Sequence, residues 1–275
     1  MRSEVAISGE AAQARTELGL DENSPVGDLP FLIKDVGYKY IEERFEDGFA
    51  GFCQYMGGSD FLIGYNLRID YGEQFKRFTL AHELGHVWMP DHQKKLLGNQ
   101  KMHRSLFNEQ YDRDTEKEAD CFSAHFLAPS KPCLRILSGR DSSPITIVAI
   151  AEHFNISLYA AALRFIDLTE IACSLIFCNK DGKTKFERRS QTMQGMKHRF
   201  VYNTPVHENT LAAEFLQGRM KTDTCDASLN LWYSDLEKEV TGKESVIDFG
   251  YDGRFAVILT PNEPRIDEYL ESEEI

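Results

Sequence analysis

Residues 78–92 read FTLAHELGHVWMPDH, and the string His82-Glu83-Leu84-Gly85-His86 inside it constrains the chain more than any other feature. On an α-helix His82 and His86 stand one turn apart and about 40° round the axis, so both imidazoles can face one cation. Glu83 lies beside the first histidine, where it can reach a water at that cation without binding the cation itself. Two histidine ligands with a glutamate as general base is the arrangement of zinc peptidases. A pentad of this kind arises by chance in roughly one chain of this composition in fifty, so a further ligand has to be found. Gly85 costs about 1 kcal/mol of helix stability relative to Ala. Its presence calls for a close backbone approach near the metal or for tight packing.

A catalytic zinc takes three protein ligands and keeps one position open. Downstream, DRDTEKEADCFSAHFLAP (112–129) carries Ala119, Phe122, Phe126 and Leu127 at helical spacing, with Pro129 as the stop. Of the two glutamates near the start of this helix, only Glu116 has an acidic residue one turn on, Asp120. A metal-binding histidine commonly donates its other ring N–H to a carboxylate. Glu116 is therefore assigned as the third ligand and Asp120 as the carboxylate that orients a histidine. Glu118 points about 200° round the helix from Glu116 and is expected in solvent; it is the alternative ligand if the register differs. His103 and Tyr111, in a predicted loop before this helix, are candidates for stabilising a transition state. His92, after the predicted helix stop at Pro90, is expected to be exposed. Zn²⁺ is the default metal for a His₂Glu set, and Mn²⁺ is the alternative.

RFTLAHELGH (77–86) followed by EKEADCFSAHFLAP (116–129) resembles the ImmA/IrrE family of metallo-endopeptidases. The family pattern runs close to R-F-T-x-A-H-E-x-G-H and then E-x-E-A-[ND]-x-F-A-x-x-L-L-x-P. This chain departs from it at Ser123 and Phe126, neither of them a proposed ligand. The resemblance extends more loosely over about 10–168, and the overall length and layout are similar to the radiation-response members. It implies an α+β fold: a zincin-like metallopeptidase core, with a small antiparallel sheet beside the active-site helix, helix-turn-helix-like helices, and a GAF-like carboxy-terminal domain. It also implies a site-specific endopeptidase that cuts a cognate XRE-type helix-turn-helix repressor and so relieves repression in a stress or DNA-damage response. The competing readings are a metal-stabilised DNA-binding or ligand-sensing regulator without proteolysis, and a metallohydrolase acting on a non-peptide bond.

A length of 275 residues suits two domains with their own cores. The expected division is 1–135 for the peptidase core, 136–170 for a helical segment packed on it, and 171–275 for an α+β domain. The chain has 31 Lys+Arg against 44 Asp+Glu, a net charge of −13 that works against nucleic acid as the main partner. The first twenty residues lack the apolar stretch of a signal peptide, and no apolar run reaches the length of a membrane span. The six cysteines show no C-x-x-C spacing. Together these features predict a cytoplasmic protein with free thiols.

Ser24-Pro25 and Gly37 predict a helix over 25–36. Strands are predicted at 38–45, 48–56 and 60–66, with an edge onto which an extended substrate could add. A loop is expected after Pro129. SSPITIVAIAEHFNISLYAAALRFIDL (142–168) has the shape of a helix-turn-helix, but its second helix offers one basic residue, Arg164, and reads as a protein-contacting element. From about Ile171, a hairpin around NKDG, strands at 198–203 and 228–234, a helix at 209–218 and a closing hairpin at 245–260 make an α+β domain. Such a domain could bind a small signal ligand, although no residue names one.

Overall fold

In the computed structural model Ser3 opens the first helix, α1 (Glu4–Glu17), its hydroxyl accepting from the Ala6 amide. The structure describes residues 2–46, 48–69, 71–100, 102–106, 113–194, 198–236 and 238–263. Backbone proximity divides the chain into one unit of residues up to 132 with 152–157, and another of 133–151 with the residues from 158 on. The last nine residues, DEYLESEEI (267–275), whose charge reads as a tail, lie outside the described residues.

In the first unit α1 is followed by α2 (Leu29–Asp35), β1 (Lys39–Glu43), β2 (Phe49–Gly57), β3 (Asp60–Asn66), α3 (Glu73–Trp88), α4 (Pro90–Lys95), β4 (Met102–Leu106) and α5 (Arg113–Leu127). The helix predicted from residue 25 starts later. Asp28 caps α2 by accepting from the Phe31 amide at 2.7 Å. The Val26 and Gly27 carbonyls instead accept from the buried guanidinium of Arg77, which holds that stretch outside the helix. Gly37, with φ at 87°, ends the helix as expected.

The four-stranded sheet runs in the order β1-β3-β2-β4. It is mixed rather than antiparallel, because β1 pairs parallel with β3. The tight turn at Gly57-Gly58, both with positive φ, locks β2 antiparallel to β3. The far edge of β3 is then the place left for β1. The other edge belongs to β4, in a segment where the sequence predicted a loop. Helix α3 packs on β2 and β3 with one face and on α5 with another, and α1 packs on α5. Leu80, Leu84 and Val87 of α3, Ile7 and Ala11 of α1, and Phe122 and Phe126 of α5 are all buried. Arg15 ties α1 to the end of α5 by donating to the Phe126 carbonyl.

The second unit takes most of α6 (Ser130–Leu137) and of α7 (Pro144–Phe154), then α8 (Leu158–Leu168), β5 (Ser174–Cys178), β6 (Thr184–Arg189), α9 (Leu211–Leu216), β7 (Thr224–Ser228), β8 (Thr241–Asp248) and β9 (Phe255–Pro261). Helix α6 replaces the loop expected after Pro129. α7 and α8 meet at a bend of 113°, with Asn155 at φ 51° in the turn, the geometry expected of a helix-turn-helix. The five strands form an antiparallel sheet in the order β6-β5-β9-β8-β7. The strand predicted at 198–203 is reduced to a single bridge between Phe200 and Tyr233. At 228–234 a 3₁₀ turn over Leu229–Leu231 buries Leu229, Trp232 and Tyr233 together, a spacing of three and four that no strand allows. None of the six cysteines forms a disulfide. Among the described residues no single helix is long and apolar enough to cross a membrane. The fold is α+β in both units.

Candidate metal centre

α3 and α5 bring the predicted residues to one point. His82 and His86, buried on α3, turn their Nε2 atoms to within 3.0 Å of each other. Glu116, in the first turn of α5, sets Oε2 3.3 Å from His82 Nε2 and Oε1 3.6 Å from His86 Nε2. His103 on the edge strand β4 joins them, its Nε2 3.2 Å from Glu116 Oε1. One ligand atom from each of these four residues lies within 4.8 Å of the others.

The residues fit a divalent cation. Ligand atoms about 2.0–2.2 Å from one tetrahedral ion stand roughly 3.3–3.6 Å apart, close to the spacings found. Imidazole and carboxylate donors suit zinc and its first-row neighbours. The 3.2 Å approach of His103 to Glu116 is a charge contact without hydrogen-bond geometry. His103 Nε2 is therefore buried with no hydrogen-bond partner among the described residues, an atom that a cation or a substrate would satisfy. The charges match as well. Burial alone would lower the His82 pKa, but hydrogen bonds to Asp120 and Glu116 outweigh it and hold the imidazole at about 10. Burial would raise Glu116, and His103 and His82 instead bring it down to about 2. His86 is pushed well below its ordinary value by burial and then by the neighbouring histidines. An ionised glutamate among imidazoles is a place where a metal can replace protons.

Glu83 is wholly buried, and burial pushes its pKa up. It accepts a short hydrogen bond from the Ser105 hydroxyl, while Oε2 has no partner among the described residues. Strand alternation supplies this environment. In the β2–β4 register Gly51 faces Ser105 and Cys53 faces His103, so all four lie on one face of the sheet. Gly51 is needed there, because a Cβ would stand 2.5 Å from Thr79 Cγ2 and 3.0 Å from Glu83 Oε1. Ser105 and Cys53 escaped the sequence reading, although MHRSL alternates as a strand does. Gly85 has a packing reason: its missing Cβ would stand 2.8 Å from the Phe122 ring.

Asp120 stands where the sequence placed it, its Oδ1 2.9 Å from His82 Nδ1. Two expectations fail. Glu118 is buried rather than solvated and lies outside the four-residue group; it accepts from the Arg2 amide at 2.7 Å and from Arg2 Nε at 2.9 Å. Burial would raise its pKa, and Arg2 with His92 brings it down to about 2. His92 is buried rather than exposed, because Pro90 opens α4 and turns the chain back against α3. Its Nδ1 is 3.1 Å from His86 Nδ1 and its Nε2 3.1 Å from Glu118 Oε2. Tyr111 lies outside the described residues.

Residues 64–165 match the family model described as the M78 peptidase, IrrE N-terminal-like domain. No curated protein matches the chain. Among solved structures, a Mycobacterium tuberculosis transcriptional regulator is similar with a TM-score of 0.56 and 15% identity, over 98% of this chain and 92% of that one. At that identity the likeness concerns the fold alone. The matched segment holds α3, β4 and α5 with all four clustered side chains, so residues 64–165 are similar to the IrrE N-terminal-like domain of the M78 peptidases.

Proposed function

We propose that the protein is a zinc-dependent, site-specific endopeptidase with His82, His86 and Glu116 as metal ligands and Glu83 as general base, with Mn²⁺ as the alternative metal. The convergence of the first three on one point, from the two separate helices α3 and α5, carries the reading. A divalent ion there would polarise a peptide carbonyl and make water acidic enough to lose its proton near neutral pH. Glu83, with its raised pKa and an Oε2 that has no partner among the described residues, takes that proton and passes it to the leaving amine. Asp120 accepts from His82 Nδ1 and fixes that ring. His103 has a buried Nε2 with no hydrogen-bond partner among the described residues, from which it can donate to the developing oxyanion. Its strand is an edge of the sheet, and an extended segment of substrate adds beside it.

The substrate class is a cognate XRE-type helix-turn-helix repressor, cut in the cytoplasm to relieve repression under stress or DNA damage. The match to the family model supports this, and the helix pair α7–α8 is the proposed docking element for a protein partner. For the five-stranded domain we propose a GAF-like role in sensing a small signal ligand, which its antiparallel sheet, contacted by α8 and α9, supports. Amino-terminal proteomics on cells carrying wild type or Glu83→Gln, before and after stress, tests the whole reading. A new terminus inside a repressor with wild type alone is the expected result; identical profiles under every stress would defeat it. A second reading, a metal-stabilised DNA-binding or ligand-sensing regulator without proteolysis, draws on the likeness to a structure named a transcriptional regulator. The charge of −13 weighs against DNA, and anisotropy titrations on duplex DNA separate the two.

A further inference from the structure

His82 and His86 both turn Nε2 towards Glu116, but their other ring nitrogens are treated differently. His82 Nδ1 meets Asp120 directly, and that side chain is 57% exposed. His86 Nδ1 meets no carboxylate. It meets His92 Nδ1 at 3.1 Å, and His92 Nε2 continues to Glu118 Oε2 at the same distance. Arg2 closes the far end: its amide and Nε hold the two Glu118 oxygens, and its Nη1 reaches Glu10 at 2.7 Å. His86, His92 and Glu118 are each less than a tenth exposed.

We propose that His92 is a positioning residue for His86, with Glu118 and Arg2 as its anchor, so that a three-residue chain does for the second histidine what Asp120 does for the first. The proposal rests on the metal site argued above.

The protonation pattern admits one solution. If His86 presents the lone pair of Nε2 to a cation, its proton sits on Nδ1, which can then only donate. His92 Nδ1 must accept, so the His92 proton is on Nε2 and is donated to Glu118. Glu118 accepts at both oxygens, from the Arg2 amide on one and from Arg2 Nε and His92 Nε2 on the other. Every atom along the path is satisfied in this pattern, and only in this one is His86 held as the tautomer that binds metal through Nε2. A polar group left over in the same burial would disfavour the arrangement. The two orienting devices also differ in reach, because the anchor for His86 is contributed by Arg2, 116 residues before Glu118.

The test compares zinc affinity, by chelator competition on the full chain, for wild type, His82→Ala, His92→Leu, His92→Gln and Glu118→Gln. Long-range ¹H–¹⁵N spectra of the imidazoles report the His86 tautomer in the zinc-loaded protein. Wild type should bind zinc and His82→Ala should lose it. His92→Leu should bind about 10–100-fold more weakly, with the His86 signal shifted from the pure Nδ1–H pattern. His92→Gln keeps an acceptor for His86 and a donor for Glu118, and should recover part of that loss. Glu118→Gln should give a smaller loss in the same direction, and it decides the matter if His92→Leu does not fold. Zinc binding within twofold of wild type and an unchanged His86 signal in the folded variants would overturn the relay while leaving the metal site standing. Failure of wild type to bind zinc, or wild-type affinity in His82→Ala, would overturn both.

Discussion

Glu244 in the five-stranded sheet and Glu83 on α3 are both wholly buried carboxylates, and in both burial pushes the pKa up. Their surroundings differ. Glu244 accepts from the Ala212 amide at 2.9 Å with one oxygen and from the Trp232 indole at 3.2 Å with the other. Glu83 receives the Ser105 hydroxyl on one oxygen, keeps the other unpartnered among the described residues, and sits beside His82 in sequence. The first is a polar group buried at a cost that its neighbours offset, and it joins a helix start to a strand. The second keeps free capacity next to three convergent imidazoles. Buried charge with every bond made points to architecture, and buried charge with capacity left over points to chemistry.

The largest effect expected from this contrast is in catalysis. Glu83→Gln should lower hydrolysis of a cleavable substrate by about 10²–10⁴-fold while leaving zinc content unchanged, measured by initial rates and elemental analysis. Glu244→Ala should leave zinc content unchanged as well, but cost about 1–3 kcal/mol of stability by stranding the Ala212 and Trp232 donors, measured by urea unfolding. Its pH behaviour has a definite sign. A carboxyl whose pKa is raised in the folded state binds more protons there than in the unfolded chain. Its contribution is full below the ordinary value of 4.5 and is lost as pH rises through the higher folded value. Glu244→Gln should flatten that part of the stability profile. Gly51→Ala forces a methyl against Thr79 and Glu83 and should cost about 1–3 kcal/mol by the same unfolding measurement, with slower turnover because Glu83 is displaced. The smallest effect belongs to an exposed pair. Asp226→Ala removes the contact with Lys243 and should change stability by less than about 1 kcal/mol.

What could be read beforehand was local. The i, i+4 histidines and the Glu116–Asp120 step need only helix geometry, and both stand where that geometry put them. The turn chemistry of Gly37 and the bend at Asn155 were legible for the same reason. What could not be read depends on distant partners. Nothing near Glu118 in the chain announces that Arg2 and His92 will both reach its carboxylate. The parallel pairing of β1 follows from which edge of β3 the β2 hairpin leaves open, a fact of the assembled sheet. β4 is short and irregular in composition, so His103 read as a loop residue until its pairing with β2 turned it towards Glu116. The α1 helix has almost no apolar stripe beyond Ile7 and two alanines, and it is fixed by packing on α5.

The most direct measurement of the central claim is zinc stoichiometry by native mass spectrometry on wild type, Glu83→Gln, His86→Ala and Glu116→Ala. One tightly held zinc per chain in the first two, lost or strongly weakened in the last two, is the predicted result. No bound metal in wild type, or equal binding in all four, would contradict a metallopeptidase centre built from His82, His86 and Glu116.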